Sequence, residues 1–102
     1  MRLSPKEIQA LTSSFNNCLF EIEFKLYLFG SRVDDTKKGG DIDLLVVVKH
    51  ENKSSVVNFK SKIRKSIFTL IPEQKIDITV ASDDELKADV FLSEVIKKAI
   101  LL

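Results

Sequence analysis

After Ser4 the chain places apolar residues at three- and four-residue intervals, Ile8, Leu11, Phe15 and Leu19. Ser4 as cap, Pro5 at the first helical position and Glu7 three residues after the cap predict a helix over Ser4 to Asn17. The period then drops to two. From Glu21 to Phe29, Ile22, Phe24, Leu26 and Leu28 alternate with polar neighbours, which predicts a strand with one buried face. A polar stretch from Arg32 to Gly40 reads as a loop. Asp41 to Lys49 is a second predicted strand, and its unbroken Leu44-Leu45-Val46-Val47-Val48 fits a central position covered on both faces. Glu51 to Leu70 returns to helical spacing, with Val56, Phe59, Ile63, Ile67 and Leu70 as the inner stripe and Pro72 as the stop. Lys75 to Ala81 is a third strand, with Ile76, Ile78 and Val80 opposite Asp77 and Thr79. Ser82 and Glu85 then open a final helix running to about Ala99.

This order predicts an α+β fold, a small mixed β-sheet packed by helices, with residues 1–102 as one domain. The phenylalanines Phe15, Phe20, Phe24, Phe29 and Phe59 are expected in its core. A net charge of +1 argues against a protein that coats nucleic-acid phosphates, so no stable nucleic-acid binding is expected. The basic group Lys60, Lys62, Arg64 and Lys65 reads as a solvated helix face. One cysteine, Cys18, and one histidine, His50, exclude an internal disulfide and a cysteine- or histidine-based metal cluster. The longest apolar run is far too short to span a membrane, and the expected location is the cytoplasm.

The chemistry concentrates in three places. Asp41 and Asp43 are two apart at a strand entry, so both carboxylates project from one face while Ile42 turns into the core. Such a pair is costly unless solvated or bridged by cations, and Mg²⁺ favours carboxylate oxygens together with water and phosphate. Asp77 sits between two isoleucines on another strand, where aspartate is a poor strand former, and would join the pair if the strands are neighbours. Three carboxylates around one or two cations suit in-line phosphoryl or nucleotidyl transfer. Gly30-Ser31 ends an apolar strand where the chain must turn. Glycine allows close approach of the backbone to a phosphate, and the hydroxyl and nearby amides donate to its oxygens. Arg32, Lys37 and Lys38 are either ordinary loop charges or contacts to phosphate or acceptor.

Phe29-Gly30-Ser31, nine intervening residues and then Asp41-Ile42-Asp43-Leu44 resemble the signature of the nucleotidyltransferase superfamily that includes DNA polymerase beta. The short chain is most similar to the minimal nucleotidyltransferases, the MNT or MntA-like antitoxins. The resemblance implies a polymerase-beta-like fold, Gly30, Ser31 and Arg32 at the triphosphate, and Asp41, Asp43 and Asp77 as catalytic metal ligands for Mg²⁺. It also implies ATP or another nucleoside triphosphate as substrate. The implied partner is a helical HEPN-domain protein, often a ribonuclease toxin, whose tyrosine receives AMP. Two departures stand out. Ser31 is followed by Arg32-Val33-Asp34-Asp35 where many relatives have alanine-arginine-glycine, and Gly39-Gly40 stands where relatives often have serine.

The expected function is therefore Mg²⁺-dependent transfer of AMP from ATP to a protein acceptor, the protein being the antitoxin of a toxin–antitoxin pair. The competing expectation is a binding module that neutralises a helical partner by contact, with the apolar Ile100-Leu101-Leu102 as candidate surface unless those residues complete the core. Assembly of several copies is compatible with either.

Overall fold

The computed structural model describes residues 1–34 and 40–102. The readings placed on Asp35, Lys37, Lys38 and Gly39 lie outside the described residues. Four helices are described, α1 Pro5–Cys18, α2 Lys53–Leu70, α3 Asp83–Ala88 and α4 Val90–Lys98. They pack on a four-stranded mixed sheet of β1 Phe24–Phe29, β2 Ile42–Val48, β3 Ile76–Ser82 and β4 Ile100–Leu101. The spatial order is β3-β2-β1-β4, with β2 and β3 parallel and both pairings of β1 antiparallel. A parallel pair needs a crossover, which α2 supplies.

The sheet has a helical layer on each face. On one, Ile42, Leu44, Val46 and Val48 of β2 meet Leu11 and Phe15 of α1 and Val56, Ile63 and Ile67 of α2. On the other, Leu45 and Val47 meet Ala81 and Leu92, flanked by Leu86, Val95 and Ile96 of α3 and α4. Every apolar residue of β2 is thus buried, as its unbroken run requires. The two helices of the first layer also share a hydroxyl bond, Ser66 Oγ to the buried Ser14 Oγ at 2.8 Å.

Several expectations need correction. The predicted final helix is two helices. Asp89 is extended (φ −92°, ψ 122°), and its side chain caps α4 by accepting from the Leu92 amide at 3.0 Å. Apolar periodicity through Val90 and Leu92 hides this second start, because a capping aspartate also fits an exposed helical position. The first strand begins at Phe24, and both its faces are engaged, since Tyr27 and Phe29 pack against the second cluster. Phe20 lies outside the core at 80% exposure, and Leu70, assigned to the inner stripe, is exposed at the last turn of α2.

The C-terminal residues form a strand that periodicity did not reveal. Ile100 and Leu101 pair with Leu28 and Tyr27, the Leu102 amide donates to the Leu26 carbonyl at 2.9 Å, and Leu102 packs against the first cluster. Of the two roles open for this segment, the structure puts Leu102 in the core and leaves Leu101 exposed.

The start of α3 follows the sequence. Ser82 Oγ accepts from the Glu85 amide, and Glu85 returns a bond to the Ser82 amide. Glu85 also meets Lys53 Nζ at 2.5 Å, tying α3 to the start of α2, and that lysine together with the cap bonds lowers its pKa. Ser82→Ala, at a fully buried position, is expected to destabilise the protein by about 1 kcal/mol, read from the urea midpoint.

Candidate active site

The candidate residues converge where β1 ends and β2 and β3 begin. Phe29 pairs with Asp43, so the chain leaves β1 beside the first turn of β2. It leaves through Gly30, whose φ of +80° is a left-handed value, and continues as a short 3₁₀ turn over Gly30–Val33. A Cβ on Gly30 would collide with the Asp43 carboxylate. Gly40, at φ +92°, plays the reciprocal part, since a Cβ there would collide with the Ser31 hydroxyl. In this molecule, then, the close approach permitted by Gly30 is to a carboxylate of its own chain. The turn bearing Ser31 is pressed onto the entry of β2 from both sides.

The parallel register sets Asp43 opposite Asp77. Neighbouring residues in register project to the same face, the one covered further along by α3 and α4. Asp41 lies one residue before β2, two from Asp43, and its carboxylate is 3.7 Å from Lys75 Nζ. Asp43 is half-buried and Asp77 exposed. Burial, then the charges of Asp77 and Asp41, push the Asp43 pKa above the ordinary aspartate value.

Among the described residues, no three carboxylate, imidazole or thiol side chains close around a cation position. The arrangement is an open row of oxygen donors. That fits Mg²⁺, which is held by one or two carboxylates plus water and phosphate rather than by an all-protein cage.

Arg32 has a different setting from its neighbours. Its guanidinium donates to the Arg2 carbonyl at 2.9 Å, to Gln74 Oε1 at 2.8 Å and to the Gly40 carbonyl at 3.3 Å, with Glu7 at 3.9 Å. Arg2 reciprocates, donating to the carbonyls of Ser31 at 3.0 Å and Asp34 at 2.9 Å, while its amide donates to the Arg32 carbonyl at 2.7 Å. Five of the six candidates, Gly30, Ser31, Asp41, Asp43 and Asp77, are brought together. The sixth, Arg32, is bonded to the N-terminal segment and to the residues leading into β2 and β3. Arg2, Gln74 and Lys75 carried no signal in the sequence, because each acts through a partner distant along the chain.

The sequence profile described as "Polymerase beta, Nucleotidyltransferase" matches residues 8–102. The chain belongs to the polymerase beta nucleotidyltransferase family. Comparison with curated proteins found no match. Among solved structures, the chain is similar to a "putative nucleotidyltransferase from Sulfolobus solfataricus", with 20% identity, a TM-score of 0.51, 99% of this chain covered and 89% of that one. This likeness bears on the fold, and it agrees with the expected polymerase-beta-like α+β architecture. As a member of this nucleotidyltransferase family the protein is a transferase by descent. Among the described residues no helix is long and apolar enough to cross a membrane.

Two outcomes follow from the geometry. Asp43→Asn should stabilise the metal-free protein at neutral pH by roughly 0.5–2 kcal/mol, the range of a single stabilising substitution. Below the ordinary aspartate range both folded and unfolded wild type are protonated there. As pH rises through the raised value, the folded state loses that proton at a cost and stability falls. The variant lacks this decline, so wild-type and variant denaturation midpoints diverge with increasing pH. Gly30→Ala should cost about 1–3 kcal/mol through its positive φ and the Asp43 carboxylate, with a smaller loss in an Asp43→Ala background.

Proposed function

We propose that the protein is a Mg²⁺-dependent nucleotidyltransferase that moves AMP from ATP to a hydroxyl of a protein acceptor. The observation that carries this reading is the register setting Asp43 beside Asp77, with Gly30 against the same aspartate and Ser31 following it in the turn. In it, the Gly30–Ser31 turn holds the β- and γ-phosphates through the serine hydroxyl and backbone amides. Asp41, Asp43 and Asp77 hold the metal, and Asp77, the most exposed, also accepts the proton of the attacking hydroxyl. Bound Mg²⁺ supplies charge to the α-phosphate and to the leaving group. The acceptor oxygen bonds to the α-phosphorus, the bond from that phosphorus to the oxygen bridging to the β-phosphate breaks, and pyrophosphate departs. Arg32 contributes by holding the turn against the entries of β2 and β3, as its bonds to Gly40 and Gln74 support.

The resemblance to minimal nucleotidyltransferases supports a HEPN-domain protein as acceptor, the pair acting as toxin and antitoxin in the cytoplasm. The whole described chain then serves as one catalytic domain. A second reading, neutralisation of that partner by contact alone, draws on Val90 and Phe91 at the start of α4, 79% and 65% exposed.

Incubation with ATP labelled at the α-phosphate and a HEPN-domain protein from the same genome separates the two. The expected result is label on the partner, reduced at least about a hundredfold by Asp41→Asn with Asp43→Asn. If wild type never transfers label and the double variant still inhibits the partner, contact is the function.

A further inference from the structure

The candidate triphosphate turn needs a cation, and the arginine that follows it is already engaged. Each of the three guanidinium nitrogens of Arg32 donates within the chain, to Gly40, Arg2 and Gln74. Moving Arg32 onto a phosphate would leave those acceptors without it and release the segment before Asp41. Another cation borders the turn from the opposite helical layer. A cavity of about 310 Å³ lies between the turn and α4, lined by Phe29, Gly30, Val33, Asp34, Val95 and Lys98. Among the described residues, Lys98 is the one cation in that lining, it is exposed, and no ion pair involves it. Its neighbour Lys97 is already paired with Glu94 at 3.0 Å.

We propose that Lys98 is a binding residue for the polyphosphate chain of the nucleotide, reaching it across this cavity while Gly30 and Ser31 hold it from the turn. The inference rests on the reading of Gly30-Ser31 as the triphosphate site. Lys98 also sits on the last residue of α4, where a cation complements the helix dipole. Lys97 shares that position, so it is the control that isolates the phosphate contact.

Calorimetric titrations with inorganic tripolyphosphate, MgATP and adenosine test the proposal on Lys98→Gln, Lys97→Gln and Lys98→Arg. Loss of a charged contact is expected to weaken tripolyphosphate and MgATP about tenfold or more in Lys98→Gln. Lys97→Gln should stay within about twofold of wild type, and Lys98→Arg should recover most of the affinity. Equal losses in the two glutamine variants would reduce Lys98 to a diffuse field effect and overturn the proposal. Unchanged polyphosphate affinity in Lys98→Gln, with wild type binding normally, overturns the role of Lys98 alone. A wild type that binds neither polyphosphate nor MgATP overturns the triphosphate site as well. Weakened adenosine binding in Lys98→Gln to the same degree as MgATP would assign Lys98 to the nucleoside and overturn the phosphate contact.

Discussion

Parallel pairing of β2 with β3 places Asp43 and Asp77 side by side, and Asp41 two residues upstream adds a third carboxylate to the same face. Burial first, and then the charges of Asp77 and Asp41, make ionisation of Asp43 harder. This repulsion is stored by the fold. The register is held by the apolar residues on both faces of β2, so the carboxylates cannot separate without disrupting the core that fixes them. Among the described residues, Lys75 reaches Asp41 with its ammonium. A surface built with this deficit of positive charge suits the binding of a divalent cation together with phosphate.

The turn bearing Ser31 is fitted to that surface by subtraction. Two glycines with positive φ remove the Cβ atoms that would otherwise strike Asp43 and Ser31. What holds the turn in place is the crossed pair of arginines. Arg2 binds the carbonyls of the turn while Arg32 binds the Arg2 carbonyl and the residues that lead into β2 and β3. Hydrogen bonds from a charged donor are the stronger kind, and the N-terminal segment thereby becomes part of the site's support.

The two helical layers divide the work. α1 and α2 bury the larger cluster and fix the sheet, whereas the short α3 and α4 cover the opposite face. Asp77, at the beginning of β3, is exposed. The C-terminal end of α4 comes down beside the Gly30 turn and contributes Val95 and Lys98 to the cavity there. The brief strand β4 then closes the β1 edge over only Tyr27 and Leu28.

The sequence by itself determined the α1 cap, the central place of β2, and the glycine, serine and aspartate residues proposed for the candidate site. Those features are written in local signals, namely capping residues, periods of two or 3.6, and side chains whose direction follows from strand alternation. Only the tertiary structure decided that Asp89 starts a new helix, that Ile100 and Leu101 form an edge strand, and that Phe20 lies outside the core. It also decided that Gly30 makes room for Asp43, that Arg32 donates to Arg2, Gly40 and Gln74, and that Lys98 borders the turn. The Asp89 cap is local, onto Leu92, but the edge strand and the settings of Gly30, Arg32 and Lys98 depend on residues brought together by burial of the sheet faces, and no local pattern encodes which such group a side chain will meet.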